Sequence, residues 1–311
     1  MLANYQKTTA FSAHLFSAFS VLLFLFLHSF SYLTEFSFLD WFFVVVYFIC
    51  IYVFGAVLNE KLLEFKLINI NNYLPQILSI YFLSLQQPTM QSFLLICAVF
   101  TILIVMLELF DLYNTSGQYI TVFGLSSIMS ITSLVSPSFI SLIIFFFVIV
   151  FWVKTTNLKD VVAFLFGYLF PYFALFILSY LLNDYYLIKQ LAKQINFTWI
   201  SIPKLTTYNE IFIAFFIYVN VYSFLKINTK KNTMVHKARL IFRVFSLYFI
   251  LTPLLFFFNA KYTIIEFLPV LWGGIGAFLV SSYIIQIQKK WLQNLWLWMI
   301  VLSSVWYVIQ L

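Results

Sequence analysis

Long apolar runs, separated by short polar breaks, recur along the chain and constrain its fold more than any other feature. About 20 consecutive apolar residues form one membrane-crossing helix. Eleven runs approach or reach that length, at residues 11–33, 37–58, 72–86, 91–109, 118–135, 137–153, 161–182, 209–226, 241–258, 264–287 and 291–310. The sequence therefore predicts an all-α, polytopic transmembrane bundle of about 11 spans. Ten are possible, because the third run is short and only residues 136–138 separate the fifth from the sixth.

Composition supports this fold class. Hydrophobic residues make up 64% of the chain and charged residues only 9%, whereas soluble domains have about 25% charged residues. That much apolar surface cannot be buried in one water-soluble core, so it is expected to face lipid. The first run is longer than the apolar part of a signal peptide and is predicted to be an uncleaved transmembrane helix.

Lysine and arginine are distributed unevenly between the loops. If the N-terminus is cytoplasmic, 13 of the 17 basic residues fall on the cytoplasmic side and four on the other. Cytoplasmic loops of membrane proteins carry such an excess. The sequence thus predicts a single transmembrane domain over residues 1–311, with a cytoplasmic N-terminus.

One segment, "KINTKKNTMVHKARLIFR" at 226–243, is predicted to be a basic cytoplasmic loop. Its six basic residues are Lys226, Lys230, Lys231, Lys237, Arg239 and Arg243. Each costs about 2.5 to 3.5 kcal/mol at a helix centre and so holds the adjoining helices in orientation. The same charges could bind anionic lipid headgroups, at about 1 kcal/mol each. Nucleic acid is not an expected partner, because no folded module presents the charges.

On the outer side, the pattern predicts an amphipathic interfacial helix near residues 185–200. Leu187, Leu191, Ile195 and Trp199 recur four apart, with polar residues between them. Such a helix lies in the membrane interface with its apolar face down. It is either a packed connector or a lid over an outward-facing cavity.

Two spans are rich in small residues. The fifth contains Gly124, Ser126, Ser130 and Ser133, and the tenth repeats Gly273, Ala277 and Ser281 at intervals of four. Small residues let transmembrane helices approach closely and hydrogen-bond across the contact. Both faces are candidates for helix packing, and the fifth also for the wall of a polar cavity. In the seventh span, Pro171 is expected to kink the helix and free a carbonyl.

Ionisable residues inside spans are candidates for function. His14 and His28 lie fourteen residues apart on the first span, about four turns and ~21 Å, and therefore near one face. They could form a proton path or contact a ligand, or serve as packing residues, but they cannot share a metal. Cys50 and Cys97 fall inside apolar runs and resemble small hydrophobic residues. No metal site and no cofactor are predicted.

Two segments resemble an uncharacterised family of multispanning inner-membrane proteins from Bacteroidota. They are "VLNEKLLEFKLININNYLPQILSIYFLSLQQP" (57–88) and "ELFDLYNTSGQYITVFGLSSIMSITSLVSPSF" (108–139). The residues that fit are Asn59, Asn71, Asn72, Tyr73, Phe110, Asp111 and Gly124. Glu108 stands where that family has basic residues. The resemblance implies a multi-pass inner-membrane protein and assigns no activity or site.

The first functional hypothesis is a non-catalytic subunit of an envelope assembly, transport or secretion complex, with membrane protein partners or further copies of itself. The second is an enzyme that resembles glycosyltransferases acting on lipid-linked precursors, with Glu35 and Asp40 in the first outward loop as weak catalytic candidates. The third is an autonomous secondary transporter. The 15 Lys against two Arg are typical of an AT-rich bacterial genome, so the expected location is the bacterial inner membrane.

Overall fold

A computed structural model describes residues 10–32, 38–65, 67, 73–111, 118–135, 146–147, 158–183, 185, 189, 207–230, 236–252 and 264–310. These residues contain no strand and ten helices of ten residues or more. The helices are α1 (Ala10–Tyr32), α2 (Phe38–Glu64), α3 (Leu74–Leu83), α4 (Met90–Asp111), α5 (Tyr119–Val135), α6 (Leu158–Leu181), α7 (Thr207–Lys230), α8 (His236–Leu251), α9 (Ile264–Gln286) and α10 (Lys290–Gln310).

The helical class predicted from the apolar runs is confirmed. Ten of the eleven predicted spans overlap a helix, with differing bounds, and the sixth, 137–153, lies outside the described residues except for Phe146 and Phe147. Within the described part, six helices are long and apolar enough to cross a membrane: Trp41–Glu64, Ser92–Phe110, Leu158–Leu181, Glu210–Thr229, Leu268–Gln286 and Lys290–Ile309. The count of eleven spans and their orientation stay predictions.

Helix α3 differs from the span predicted at 72–86. It has ten residues and is therefore about 15 Å long, half of the roughly 30 Å hydrocarbon core of a bilayer. Pro75 lies in its first turn, where a missing N–H costs nothing. All ten of its residues are buried, so α3 is a short helix enclosed by the protein.

The chain forms two compact units. Unit 1 comprises Met1–Ile96, Pro203–Phe242 and Thr263–Leu311, and unit 2 comprises Cys97–Ile202 and Arg243–Tyr262. The single transmembrane domain expected over residues 1–311 stays a prediction.

Helices α3 and α9 lie at the centre of unit 1. Helix α3 packs most extensively on α9 and α2 and also contacts α1 and α10, while α9 packs on α7 as well. Two glycines permit the close approach to α3. A Cβ at Gly55 of α2 would lie 2.7 Å from Ser79 Oγ, and one at Gly273 of α9 would lie 2.6 Å from Leu83 Cδ2. Glycine therefore lets α2 and α9 each reach the short helix.

Helix α5 packs along α6 in unit 2. At the crossing, a Cβ on Gly167 would collide with the backbone of Phe123 and the hydroxyl of Ser126. Pro171, four residues further on, has no N–H to donate to the Gly167 carbonyl. Ser127 Oγ of α5 lies 2.9 Å from that carbonyl and 2.9 Å from the Phe123 carbonyl of its own helix, so its one hydrogen is shared between the two acceptors. The Gly167 carbonyl, which Pro171 leaves without a backbone donor, thus bonds to the neighbouring helix α5.

The basic segment at 226–243 differs from its prediction, and most of the predicted amphipathic helix at 185–200 lies outside the described residues. Most of the basic segment 226–243, predicted to be a loop, is helical, because α7 extends to Lys230 and α8 begins at His236. Residues 231–235 lie outside the described part. The predicted amphipathic helix at 185–200 also lies outside it, except for Tyr185 and Lys189.

Candidate functional site

Polar side chains inside unit 1 collect around α3. His28, Gln76, Ser79, Ser84 and Gln86 are each 3% exposed or less. A buried polar group costs free energy unless it is hydrogen-bonded, and polar groups inside membrane bundles usually mark functional sites. The surroundings of α3 are therefore the candidate site.

At the N-terminal end of α3, side chains of three helices meet at His14 of α1. His14 Nδ1 lies 3.0 Å from the hydroxyl of Tyr52 on α2 and 3.4 Å from Nε2 of Gln76 on α3. The roles at Nδ1 depend on which ring nitrogen carries the proton: with the proton on Nε2, Nδ1 accepts from the Gln76 amide N–H. The ring of Tyr73, which precedes α3, lies 5.8 Å from the His14 ring centroid.

At the C-terminal end of α3, the backbone leaves the helix while still buried. Carbonyl groups at a helix end have no partner within the helix and need one when water is excluded. His28 Nε2 donates to the Ser84 carbonyl at 2.9 Å, and the Tyr47 hydroxyl reaches the Gln86 carbonyl at 3.5 Å. Helices α1 and α2 thus supply the donors that allow α3 to end inside the protein.

The two histidines of α1 therefore bracket α3. Their spacing of about four turns predicted a shared helix face, and the structure places His14 at the N-terminal end of α3 and His28 at its C-terminal end. No three His, Cys, Asp or Glu side chains come together as metal ligands in the described part of the chain. The arrangement can accept and donate hydrogen bonds.

Several buried oxygen atoms of unit 1 have no hydrogen-bond partner among the described residues. They are Asn59 Oδ1, Ser84 Oγ, Asn220 Oδ1, Ser223 Oγ and Ser282 Oγ. Asn220 of α7 faces Gly276 of α9, where a Cβ would collide with Oδ1. The contact between α7 and α9 thus also contains a buried polar side chain.

The predicted small-residue face of the tenth span lies on α9, in unit 1. Gly273 faces Leu83 of α3. Ala277 and Ser281 are fully buried, and Ser281 Oγ donates to the Phe278 carbonyl of its own helix. This face is therefore part of the α9 surface that is enclosed within unit 1.

The predicted face of the fifth span lies on α5, in unit 2. Ser126, Ser130 and Ser133 are buried, and Ser133 Oγ lies 2.6 Å from the Tyr172 hydroxyl of α6. Gly124 has no atom within 4 Å of an added Cβ. The structure does not bring this face together with the polar residues around α3 within one unit.

The remaining predicted site residues are spread over the chain. Glu35 lies outside the described residues, and Asp40 lies in the first turn of α2 with a side chain that the structure does not describe. Lys226 and Arg243 are exposed, and Arg239 is half-buried. Lys230 ends α7 and Lys237 lies in α8, whereas Lys231 lies outside the described part.

Gln76, Ser79 and Gln86 were not recognised as site residues from the sequence. The available signal was their concentration in the shortest apolar run, "LPQILSIYFLSLQQP" at 74–88. Polar residues in a short apolar run weaken the prediction of a membrane span. Here they belong to a short helix that other helices enclose.

No family model matches the chain, and comparisons with curated proteins and with solved structures return no match either. The resemblance to the Bacteroidota family stays a prediction.

Proposed function

We propose that the chain is a multi-pass protein of the bacterial inner membrane and a non-catalytic subunit of an envelope transport or secretion complex, in which the surroundings of α3 meet polar cargo. The observation on which this proposal depends is the fully buried, ten-residue helix α3, bracketed by His14 and His28.

The exposed surface of the long helices supports the membrane location. Only 17% of the apolar stretch of α6 is buried. Phe166 and Phe173 on this helix are 67% and 62% exposed. Apolar patches of that kind mark a membrane or protein contact. A bilayer around the bundle covers these faces, and partner subunits or further copies of the chain cover part of them.

The length and burial of α3 support the transport role. Non-helical backbone at membrane depth is tolerated where protein encloses it or where it lines a cavity. In transporters, interrupted helices place their ends and unwound backbone at the substrate site. Helix α3 has half the length of a span and ends in buried polar backbone at Ser84. Its neutral polar side chains can bind a polar solute and release it again.

Accessibility of the α3 surroundings to water-soluble reagents tests this proposal. In a background in which Cys50 and Cys97 are replaced by alanine, Ser79→Cys is compared with Ser281→Cys. The two serines are both fully buried, and each donates to a carbonyl of its own helix, at 2.8 and 2.9 Å. A small water-soluble methanethiosulfonate reagent is applied to native membranes, and labelling is followed by mass spectrometry.

We expect Ser79→Cys to be labelled faster than Ser281→Cys, because a cargo site must open to water during its working cycle. Equal, negligible labelling of both positions would mean that α3 lies in a permanently dry core and would remove the transport role. Stoichiometric partners retained in mild detergent support a subunit. Solute uptake by the purified chain alone in vesicles would instead make it an autonomous transporter.

The enzymatic alternative depends on Glu35 and Asp40, whose side chains the structure does not describe, so it stays a prediction. The Asp40→Asn substitution tests it directly. An enzyme of this kind would lose its glycan product while the chain still inserts into the membrane.

A further inference from the structure

Four aromatic side chains from α7, α9 and α10 pack together near one end of unit 1. The Tyr222 ring centroid lies 5.7 Å from that of Tyr218, 5.3 Å from that of Tyr283 and 6.1 Å from that of Trp296. The rings of Tyr283 and Trp296 are also in contact, at 5.8 Å. Tyr218 is exposed and the other three rings are half-buried. We call these four residues the aromatic cluster.

Lys226 lies directly beside the aromatic cluster. Its Nζ is 5.6 Å from the centroid of the Tyr222 ring, within the range of a cation–π contact. The side chain is exposed. This contact favours a position of the ammonium group beside Tyr222, near the C-terminal end of α7.

Two further lysines lie at the same end. Phe212 contacts Tyr307 and Tyr222 contacts Trp296, so α7 and α10 run antiparallel. Continuing that register past Tyr222 brings the C-terminal turns of α7 level with the start of α10. Lys289 and Lys290, both exposed, stand at this start. The apolar segments of α7 and α9 end here, at Thr229 and Gln286, and that of α10 begins here, at Lys290.

Acidic residues are missing from the sequence of these elements at this end. After Glu210, the next acidic residue is Glu266, and none follows it. Both precede the aromatic cluster by more than two helical turns, because Tyr218 and Tyr283 are the first cluster residues on α7 and α9. The C-terminal halves of α7 and α9 and all of α10 thus add positive charge without any negative charge of their own.

We infer that this end of unit 1 is a binding site for the phosphate group of an anionic phospholipid, with Lys226, Lys289 and Lys290 as its cationic groups. Basic residues at the membrane surface attract anionic lipids, and Tyr and Trp rings favour the level of the headgroups. Trp291 is 63% exposed beside Lys290 and provides an apolar surface for the acyl chains. This inference rests on the proposed membrane location, and it is independent of the transport role.

Lipid retention by the purified full chain tests the site. The protein in a non-ionic detergent is titrated with phosphatidylglycerol or phosphatidylcholine, and bound lipid is counted by native mass spectrometry. We expect phosphatidylglycerol to bind more tightly, and expect Lys226→Gln to weaken its binding about fivefold. The Lys289→Gln/Lys290→Gln double variant should weaken it further. Tyr222→Leu should act like Lys226→Gln, and Tyr222→Phe, which keeps the ring, should bind as the unchanged protein does.

Lys159→Gln is the matched control, because Lys159 is another exposed lysine near the start of a long apolar helix, in unit 2. An equal loss in this variant would overturn the site, since it would show a general charge effect. Equal binding of phosphatidylcholine, or displacement of the lipid by inorganic phosphate, would overturn the assignment to an anionic lipid. Failure of the chain to insert into membranes would instead refute the proposed membrane location.

Discussion

The α3 surroundings in unit 1 and the α5–α6 contact in unit 2 both place serine and glycine between helices, but with different consequences. In unit 2, the serine hydroxyls near the crossing bond to carbonyls of α5 itself or of α6. Ser126 and Ser127 both bond to the Phe123 carbonyl of α5, and Ser127 also bonds to the Gly167 carbonyl of α6. In unit 1, polar groups of α3 and of the turn after it bond to side chains of α1 and α2. The first pattern joins two helices, and the second holds a short helix inside a bundle.

This difference shows that the number of polar residues in an apolar run does not locate the polar interior. Helix α5 has the more polar sequence, with five serine or threonine residues besides Thr121 between Tyr119 and Val135. Most of its described hydroxyls are nevertheless satisfied within α5 or by one neighbour. Helix α3 has fewer polar residues, but its ends are buried, so their partners must come from other helices.

The His28→Ala substitution should give the largest effect. It removes the donor of the Ser84 carbonyl and leaves a cavity where a 2% exposed side chain had been. A lost buried partner costs about 1 to 3 kcal/mol, and the cavity adds to it. We expect the free energy of unfolding to fall by about 3 kcal/mol, measured by SDS titration in bicelles.

His28→Gln is the companion variant, because an amide can still donate to the Ser84 carbonyl. It should recover part of the loss. If His28→Ala were no more destabilising than His14→Ala, whose ring is only half-buried, the C-terminal end of α3 would not depend on the histidine donor.

The Gly167→Ala substitution should give an intermediate effect in unit 2. The added methyl group would collide with Phe123 and Ser126, and overpacking of this kind costs about 1 to 3 kcal/mol. Gly124→Ala is the control on the opposing helix, because its methyl group would meet no atom within 4 Å. Thermal unfolding in detergent should separate the two variants. Equal melting temperatures would mean that the α5–α6 contact is looser than the structure shows.

The Ser127→Ala substitution should give the smallest effect. It removes the hydroxyl that bonds to the Gly167 carbonyl, and hydrogen bonds between transmembrane helices contribute about 0.6 kcal/mol on average. A second substitution, Pro171→Ala, tests this explanation, since alanine restores the N–H that the Gly167 carbonyl lacks. In the Pro171→Ala background, Ser127→Ala should cost less. An unchanged cost in a double-mutant cycle would show that the serine does not compensate for the proline.

The sequence predicted much of the helical fold and only part of the candidate site. Apolar run length located ten described helices, and the spacing of His14 and His28 indicated a shared face. The shortness of α3 was not predicted, because a hydropathy run does not show where a helix ends within it. The helical structure of Lys226–Lys230 was not predicted either, because a segment with many basic residues is also typical of a loop.

The amino-acid sequence is enough to predict that the chain is helical, where most helices lie, and that Pro171 leaves a carbonyl without its donor. These properties depend on residues close together in the chain, through helix length and backbone chemistry. Only the packing of the helices shows that Ser127 contacts this carbonyl, that His14 and His28 bracket α3, and that Lys226, Lys289 and Lys290 lie at one end of unit 1. Each of these pairings joins residues more than a helix apart, and their choice depends on how helices pack, which local patterns do not encode.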